Sequence, residues 1–228
     1  MLNKNGIRTI IVQSVFILVS FVILFAVAGT LTWLNAWAYF VLVCVSQAVT
    51  WVYLARVNPE VVNARGNMTK ADTKSFDRVW MVLYPLLSII NLFIIGFDAV
   101  RFHWSSVPLW VSAIGVVIFI PASIVGAWAM GVNKFFEWSA RIQKDREQYV
   151  CTDGPYRYVR HPGYVCLILS VLTGTVILGS WWGLVLSGLV SIIVVIRTAL
   201  EDRMLQDELS GYREYAQKVK YRLLPFVW

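Results

Sequence analysis

The stretch GPYRYVRHPGY, residues 154–164, sets Arg157, Arg160 and His161 directly ahead of Pro162. Proline suits the first turn of a helix, where its missing N–H would have no partner in any case. His161 then stands at or beside the N-cap, and the free N–H groups and positive dipole end of the helix add to the basic side chains around it. Such a cluster is fit to hold a carboxylate or a phosphate; the plainer role is snorkelling of the two arginines to lipid headgroups. Further along, Arg197 and Glu201 lie four residues apart and so share a helical face. As a bare surface pair they would contribute only about 0.2–0.5 kcal/mol, and Arg before Glu is the weaker order. An ionisable pair at a membrane edge has a second use, as the acid and cation of a site.

The elements that must position these residues are apolar runs at 9–31, 36–55, 79–98, 108–131, 162–179 and 183–200. A membrane-spanning helix needs about 20 mainly apolar residues, and no strand-like alternation competes with these runs. The expectation is an all-α, polytopic membrane helix bundle of about six transmembrane helices, five if one of the short last two does not span. Ala26-Val27-Ala28 resembles a signal-peptide cleavage site, but the first run is too long for a signal core and is read as an uncleaved span. Only Gly179–Trp182 separates the last two runs, so they form a tight hairpin. That hairpin returns Arg197 and Glu201 to the membrane edge where His161 and Tyr164 begin.

Charge orients the bundle. Of twenty Lys and Arg, only Arg101 falls on the side opposite the N-terminus, the 56–78 and 132–161 loops and the tail. This asymmetry puts both termini in the cytosol. Trp33, Trp37, Trp104, Trp110, Trp181 and Trp182 gather at the outer turns as half of an aromatic belt. The chain is 58% hydrophobic and 14% charged, which excludes disorder and an ordinary soluble domain. Its net charge of +7 follows from the same topology, so no nucleic-acid partner is expected. Two His and three Cys without a CxxC spacing make a His- or Cys-built metal site implausible, and no metal is expected. The 132–161 loop and the 201–228 tail hold most of the polar chemistry, with the 56–78 loop a weaker third. The chain divides into residues 1–131, spans one to four, and a catalytic region at 132–228, together one integrated domain. Asp98, Arg101 and His103 read as a solvated outer cluster. Asn91 and Ser88 read as interhelical hydrogen bonders, and Tyr212, Tyr215 and Tyr221 as a tail helix on the bilayer.

GPYRYVRHPGY, followed by RTALEDRMLQDELSGYREYAQKVKYRLLPFVW, resembles the isoprenylcysteine carboxyl methyltransferase family over roughly 133–228. These are integral-membrane enzymes related to phospholipid N-methyltransferases. The resemblance implies S-adenosylmethionine as cofactor, bound at the cytosolic membrane edge, with S-adenosylhomocysteine as product. It implies that Tyr156, His161, Pro162, Gly163 and Tyr164 line the cofactor and that Glu201 is its acidic contact. Gln148, Tyr149, Val150 and Cys151 would supply mainly backbone contacts, with Gln143 a looser match. Arg197 falls on the substrate-contacting position and is the catalytic candidate. Arg160 belongs to the motif without an assigned role. A carboxylate acceptor is ionised at neutral pH and needs no general base, which favours carboxyl O-methylation of an isoprenylcysteine-like, lipophilic substrate taken from the bilayer. N- or S-methylation of a phospholipid amine or a thiol stays open. So does an NADPH-dependent membrane sterol or lipid reductase, which would share an RHxxY-like element and the Tyr221, Arg222, Pro225 ending. A transporter or other non-catalytic module would need charges deep in its spans or paired broken helices.

Overall fold

The computed structural model describes residues 1–66, 70 and 72–228. Helix makes up 74% of the chain and, among the described residues, there is no strand. Helices α1 (Lys4–Ala28), α2 (Leu34–Val57), α4 (Ser75–Gly96, continued by a π turn at Phe97–Arg101), α5 (Leu109–Val132) and α7 (Trp181–Glu208) are long and apolar enough to cross a bilayer. Between α2 and α4 lies a single short turn of helix, α3 (Pro59–Ala64). Helix α6 (Pro162–Leu178) is apolar but has 17 residues, a length of about 25 Å at 1.5 Å per residue. The short α8 (Tyr212–Lys218) is followed by a non-helical stretch at 219–228. Side chains such as Val22, Leu34, Val117 and Val185 stand on the outside of the bundle, as lipid-facing positions should.

The boundaries follow local chemistry. Asn3 caps α1 by accepting from the N–H groups of Asn5 and Gly6, and Asn58 caps α3 ahead of Pro59. The hairpin between α6 and α7 turns at Gly179, whose φ of 85° is open to glycine at little strain, and restarts at Ser180, which caps Gly183. Helix α6 lies against α5, α7 and α2; Ser112 Oγ of α5 donates to the Val176 carbonyl at 3.1 Å and Asn35 Nδ2 of α2 to that of Ile177 at 3.0 Å. Asn91 reaches across to Ser187 at 3.0 Å, the interhelical bond expected of it, whereas Ser88 bonds the Tyr84 carbonyl of its own helix.

Helix α7 has 28 residues, about 42 Å at 1.5 Å per residue against a hydrocarbon layer of about 30 Å. Counted from Trp181, Glu201 and Asp202 stand about 30 Å along the helix and so reach the membrane edge, with Arg197 about 24 Å along, roughly one turn inside it. The same end of the bundle holds both termini: Asn3 N–H bonds Asn63 Oδ1 at 3.0 Å, Lys74 pairs with Glu208 at 2.7 Å, and Arg160 N–H bonds the Tyr221 carbonyl at 2.9 Å.

Two readings are corrected here. Asp98 is not solvated: it is wholly buried at the outer end of the bundle, and one carboxylate oxygen accepts from Ser105, Ser180 and the Trp182 N–H. The π turn points it at the start of α7, where four N–H groups lack helical partners. Nor do Tyr212 and Tyr215 face outward from the tail helix. Tyr212 and Tyr215 are buried with Leu209 against Ile142, Val150 and Leu205, so α8 folds back onto the 133–161 loop. Of the 56–78 loop, residues 67–69 and 71 lie outside the described residues.

Candidate active site

Two ionic clusters meet at the edge where α6 begins and α7 ends. The first is centred on Asp202, a carboxylate with no exposed surface. Arg160 grips it through Nε and Nη2 at 2.7 and 2.9 Å, and Arg222 adds a bond at 2.8 Å. Tyr212 Oη donates at 3.0 Å, His161 Nε2 lies at 3.2 Å, and Gln206 Nε2 donates at 2.8 Å. Such dense pairing is what a buried carboxylate requires. Arg160 Nη1 also donates to the Val219 and Lys220 carbonyls, and the N–H groups of Arg160 and His161 bond the Tyr221 and Arg222 carbonyls. Burial works against the Arg160 charge, but the bonds to Asp202 outweigh it and raise the guanidinium pKa. Burial, followed by the Asp202 charge, pushes Tyr212 well up, so it remains a neutral donor.

The second cluster surrounds Arg197, which is buried with its guanidinium carbon 5.1 Å from the Trp80 ring centroid and 5.0 Å from that of Tyr164. Arg197 Nε donates to Asp77 Oδ1 at 2.6 Å and Nη2 to the Trp138 carbonyl at 3.0 Å. Tyr164 Oη donates to Glu201. The two clusters adjoin, because the His161 and Tyr164 rings stack with centroids 5.7 Å apart and planes 18° apart.

His161 is the N-cap of α6 and Pro162 its first residue, as the sequence indicates. The anion site read from Arg157, Arg160 and His161 is not formed by those side chains. Arg160 and His161 turn to Asp202, and Arg157 makes an exposed pair with Asp153 at 3.2 Å. The physical reason is the buried Asp202 carboxylate, which takes Arg160 and His161 as its partners.

Tyr156 is buried, its hydroxyl bonded to Asn133 Nδ2 at 3.0 Å and its carbonyl to Tyr215 Oη at 2.7 Å. Burial pushes its phenol up. Gly163 leaves room for Phe136: a Cβ at that position would come within 2.4 Å of the ring. The side chains of Gln143 and Gln148 are occupied within the loop. Gln143 Nε2 donates to the Phe135 carbonyl at 2.7 Å, and Gln148 Oε1 accepts from the Gln143 N–H at 2.8 Å. Tyr149 is exposed and edge-on to Phe135. Cys151 is half-buried with its Sγ 3.6 Å from the Val132 carbonyl, and burial pushes its thiol up. Among the described residues, the backbone N–H and carbonyl groups of Tyr149, Val150 and Cys151 make no protein hydrogen bond.

The structure therefore joins Tyr156, His161, Pro162, Gly163, Tyr164, Arg197 and Glu201 at one edge, with the 149–151 backbone open beside Tyr156. Sequence reading missed Asp77, Asn133 and Asp202 as partners. Asp202 adjoins Glu201 in the sequence, and its place one residue further around the helix was a usable signal. Asp77 heads a span, and an acidic residue there is itself unusual.

Residues 110–210 match the model of the family described as phospholipid methyltransferase. This is the family of integral-membrane methyltransferases to which the isoprenylcysteine carboxyl methyltransferases are related, as the resemblance in the motifs implied. The match runs from α5 to the end of α7, so it includes a span in which the sequence showed no signature and stops short of the tail. Comparison with curated proteins gives no match.

Proposed function

We propose that the chain is an S-adenosylmethionine-dependent methyltransferase of the membrane, acting at the cytosolic edge on the carboxylate of an isoprenylcysteine-like, lipophilic acceptor. The observation that carries this reading is the meeting of Glu201, Tyr164 and Arg197 at the junction of α6 and α7, inside the segment that matches the family.

The residues present fit the cofactor. Glu201 offers a carboxylate to an ammonium or sulfonium, and Tyr164 and Tyr156 offer aromatic faces to the same charges. The unbonded backbone of Tyr149, Val150 and Cys151 offers donors and acceptors to an adenosine moiety. His161 and Pro162 contribute shape more than charge, because the imidazole is committed to Asp202 and Tyr212. Bound S-adenosylmethionine would supply a methyl group on a sulfonium, released as a neutral thioether when an acceptor oxygen takes the methyl. The protein's part is positioning and exclusion of water. Arg197 presents a fixed cation to the acceptor carboxylate, and the aromatic walls of Trp80 and Tyr164 keep that cation from swinging toward water. An acceptor entering sideways between lipid-facing helices keeps its apolar part in the bilayer.

One observation favours a second acceptor class, the amine of a phospholipid. Arg197 is already paired with Asp77 and stands close to Glu201, so these three formal charges sum to a net negative. The family description points the same way. The discriminating experiment uses detergent-purified protein. Calorimetry measures S-adenosylhomocysteine binding, and radiolabelled methyl transfer is then assayed to an S-farnesylated N-acetylcysteine and to phosphatidylethanolamine. Binding that falls roughly 10- to 100-fold in Glu201→Gln, the loss of one charged hydrogen bond, supports the site, and His161→Ala should weaken binding too. Base-labile label in the prenylcysteine supports the ester. Label only in the lipid amine moves the assignment to N-methylation. NADPH binding without S-adenosylhomocysteine binding overturns the methyltransferase reading.

A further inference from the structure

Asp77 has no exposed surface, and both of its oxygens are used. Oδ1 accepts Arg197 Nε at 2.6 Å and Oδ2 accepts the Ala140 N–H at 2.7 Å. It stands in the first turn of α4, where the helix dipole favours an anion. Through this one side chain, α4, α7 and the 133–161 loop are tied together at the membrane edge. Asp77 lies outside the matched segment 110–210 and outside the two sequence motifs.

The consequence falls on Arg197. Two of its three guanidinium nitrogens are bonded, Nε to Asp77 and Nη2 to the Trp138 carbonyl, and the rings of Trp80 and Tyr164 lie 5.1 and 5.0 Å from its central carbon. Nη1 makes no hydrogen bond among the described residues, nor is it one of the buried unpartnered atoms. A flexible side chain is thereby reduced to one orientation with one accessible donor edge. Resting on the reading of the site given above, we propose that Asp77 is the positioning residue for acceptor binding. It fixes the Arg197 guanidinium so that the edge carrying Nη1 is offered to the acceptor's oxygen. The oxygens of Asp77 are taken by Arg197 and the Ala140 N–H, and among the described residues it makes no hydrogen bond to Glu201 or to the 149–151 backbone.

The test compares the parent with Asp77→Asn, Asp77→Glu, Arg197→Ala and the double variant Asp77→Asn/Arg197→Ala. It reads melting temperature, S-adenosylhomocysteine affinity, and KM and kcat for S-farnesyl-N-acetylcysteine, or for phosphatidylethanolamine if that is the acceptor methylated. Asp77→Glu keeps the charge but moves the guanidinium, so it guards against loss of folding in Asp77→Asn. The expected result is S-adenosylhomocysteine affinity within about 3-fold of the parent in both Asp77 variants, less than one kcal/mol in binding. Acceptor kcat/KM should fall up to about 100-fold, as for small misplacements of a reacting group. The double variant should be no worse than Arg197→Ala alone, because residues acting as one unit do not add. Losses that add, or cofactor affinity that falls in parallel with kcat/KM, would make Asp77 merely structural and overturn the inference. A parent that methylates acceptor equally well as Asp77→Glu overturns it alone, leaving the proposed function intact. A parent that binds no S-adenosylhomocysteine overturns both.

Discussion

At the residue scale, the chemistry depends on which side chains are committed and which are free. His161 and Arg160 have the types of an anion site, yet both spend their polar atoms on Asp202. Glu201, one position before Asp202, keeps a half-buried carboxylate that receives a single side-chain bond, from Tyr164. Neighbouring acids on one helix thus do opposite work, because successive residues point about 100° apart. Cys151 offers a direct probe of this neighbourhood. Burial raises its thiol pKa, and the thiolate is the reactive form. Its labelling by N-ethylmaleimide should therefore keep accelerating with pH beyond about 8.5, where an ordinary thiol levels off. S-adenosylhomocysteine should slow that labelling, read by mass spectrometry of the Cys151 peptide. Labelling that plateaus early, or is indifferent to the ligand, would remove Cys151 from the site.

At the element scale, the junction is built by a tail that the motifs alone do not position. The 219–222 carbonyls bond Arg160 and His161, Arg222 returns to Asp202, and α8 buries Tyr212 and Tyr215 against the loop. Removing the common anchor leaves Arg160 buried without its counter-ion, a cost of about 3–5 kcal/mol. Asp202→Ala should accordingly lower the melting temperature and open the tail to limited proteolysis. Arg157→Ala, which removes a pair exposed on both sides, should change stability by less than about 1 kcal/mol. Equal effects of the two substitutions would show that Asp202 anchors nothing. The hairpin is the other decisive element. It was legible because apolar runs broken by a glycine and a serine admit one connection, and its two arms then had to end at one edge.

At the scale of the whole molecule, both termini and all the ionic clusters of the site share one end of the bundle, and Asp98 seals the other. The charge asymmetry of the sequence predicts that the shared end faces the cytosol. In a background without native cysteines, Arg157→Cys and Ser106→Cys test this with a membrane-impermeant maleimide on sealed, right-side-out vesicles. Ser106→Cys should label from outside and Arg157→Cys only after permeabilisation; the reverse pattern would invert the molecule and place the site outside the cytosol.

The sequence by itself determined the helical class, the location of the spans (though α7 runs eight residues, over two turns, past the apolar stretch), the hairpin, the N-cap at His161 and the meeting of Tyr164 with Glu201. Each of these follows from local pattern or from a connection too short to allow an alternative. Only the tertiary structure decided that Asp77 holds Arg197, that Asp202 gathers Arg160, His161, Tyr212 and Arg222, and that Asp98 is buried. These pairings join residues far apart in the chain. The selection among possible partners is made by burial, since a charge removed from water must find a counter-charge nearby, and nothing in the order of residues says which elements will surround it.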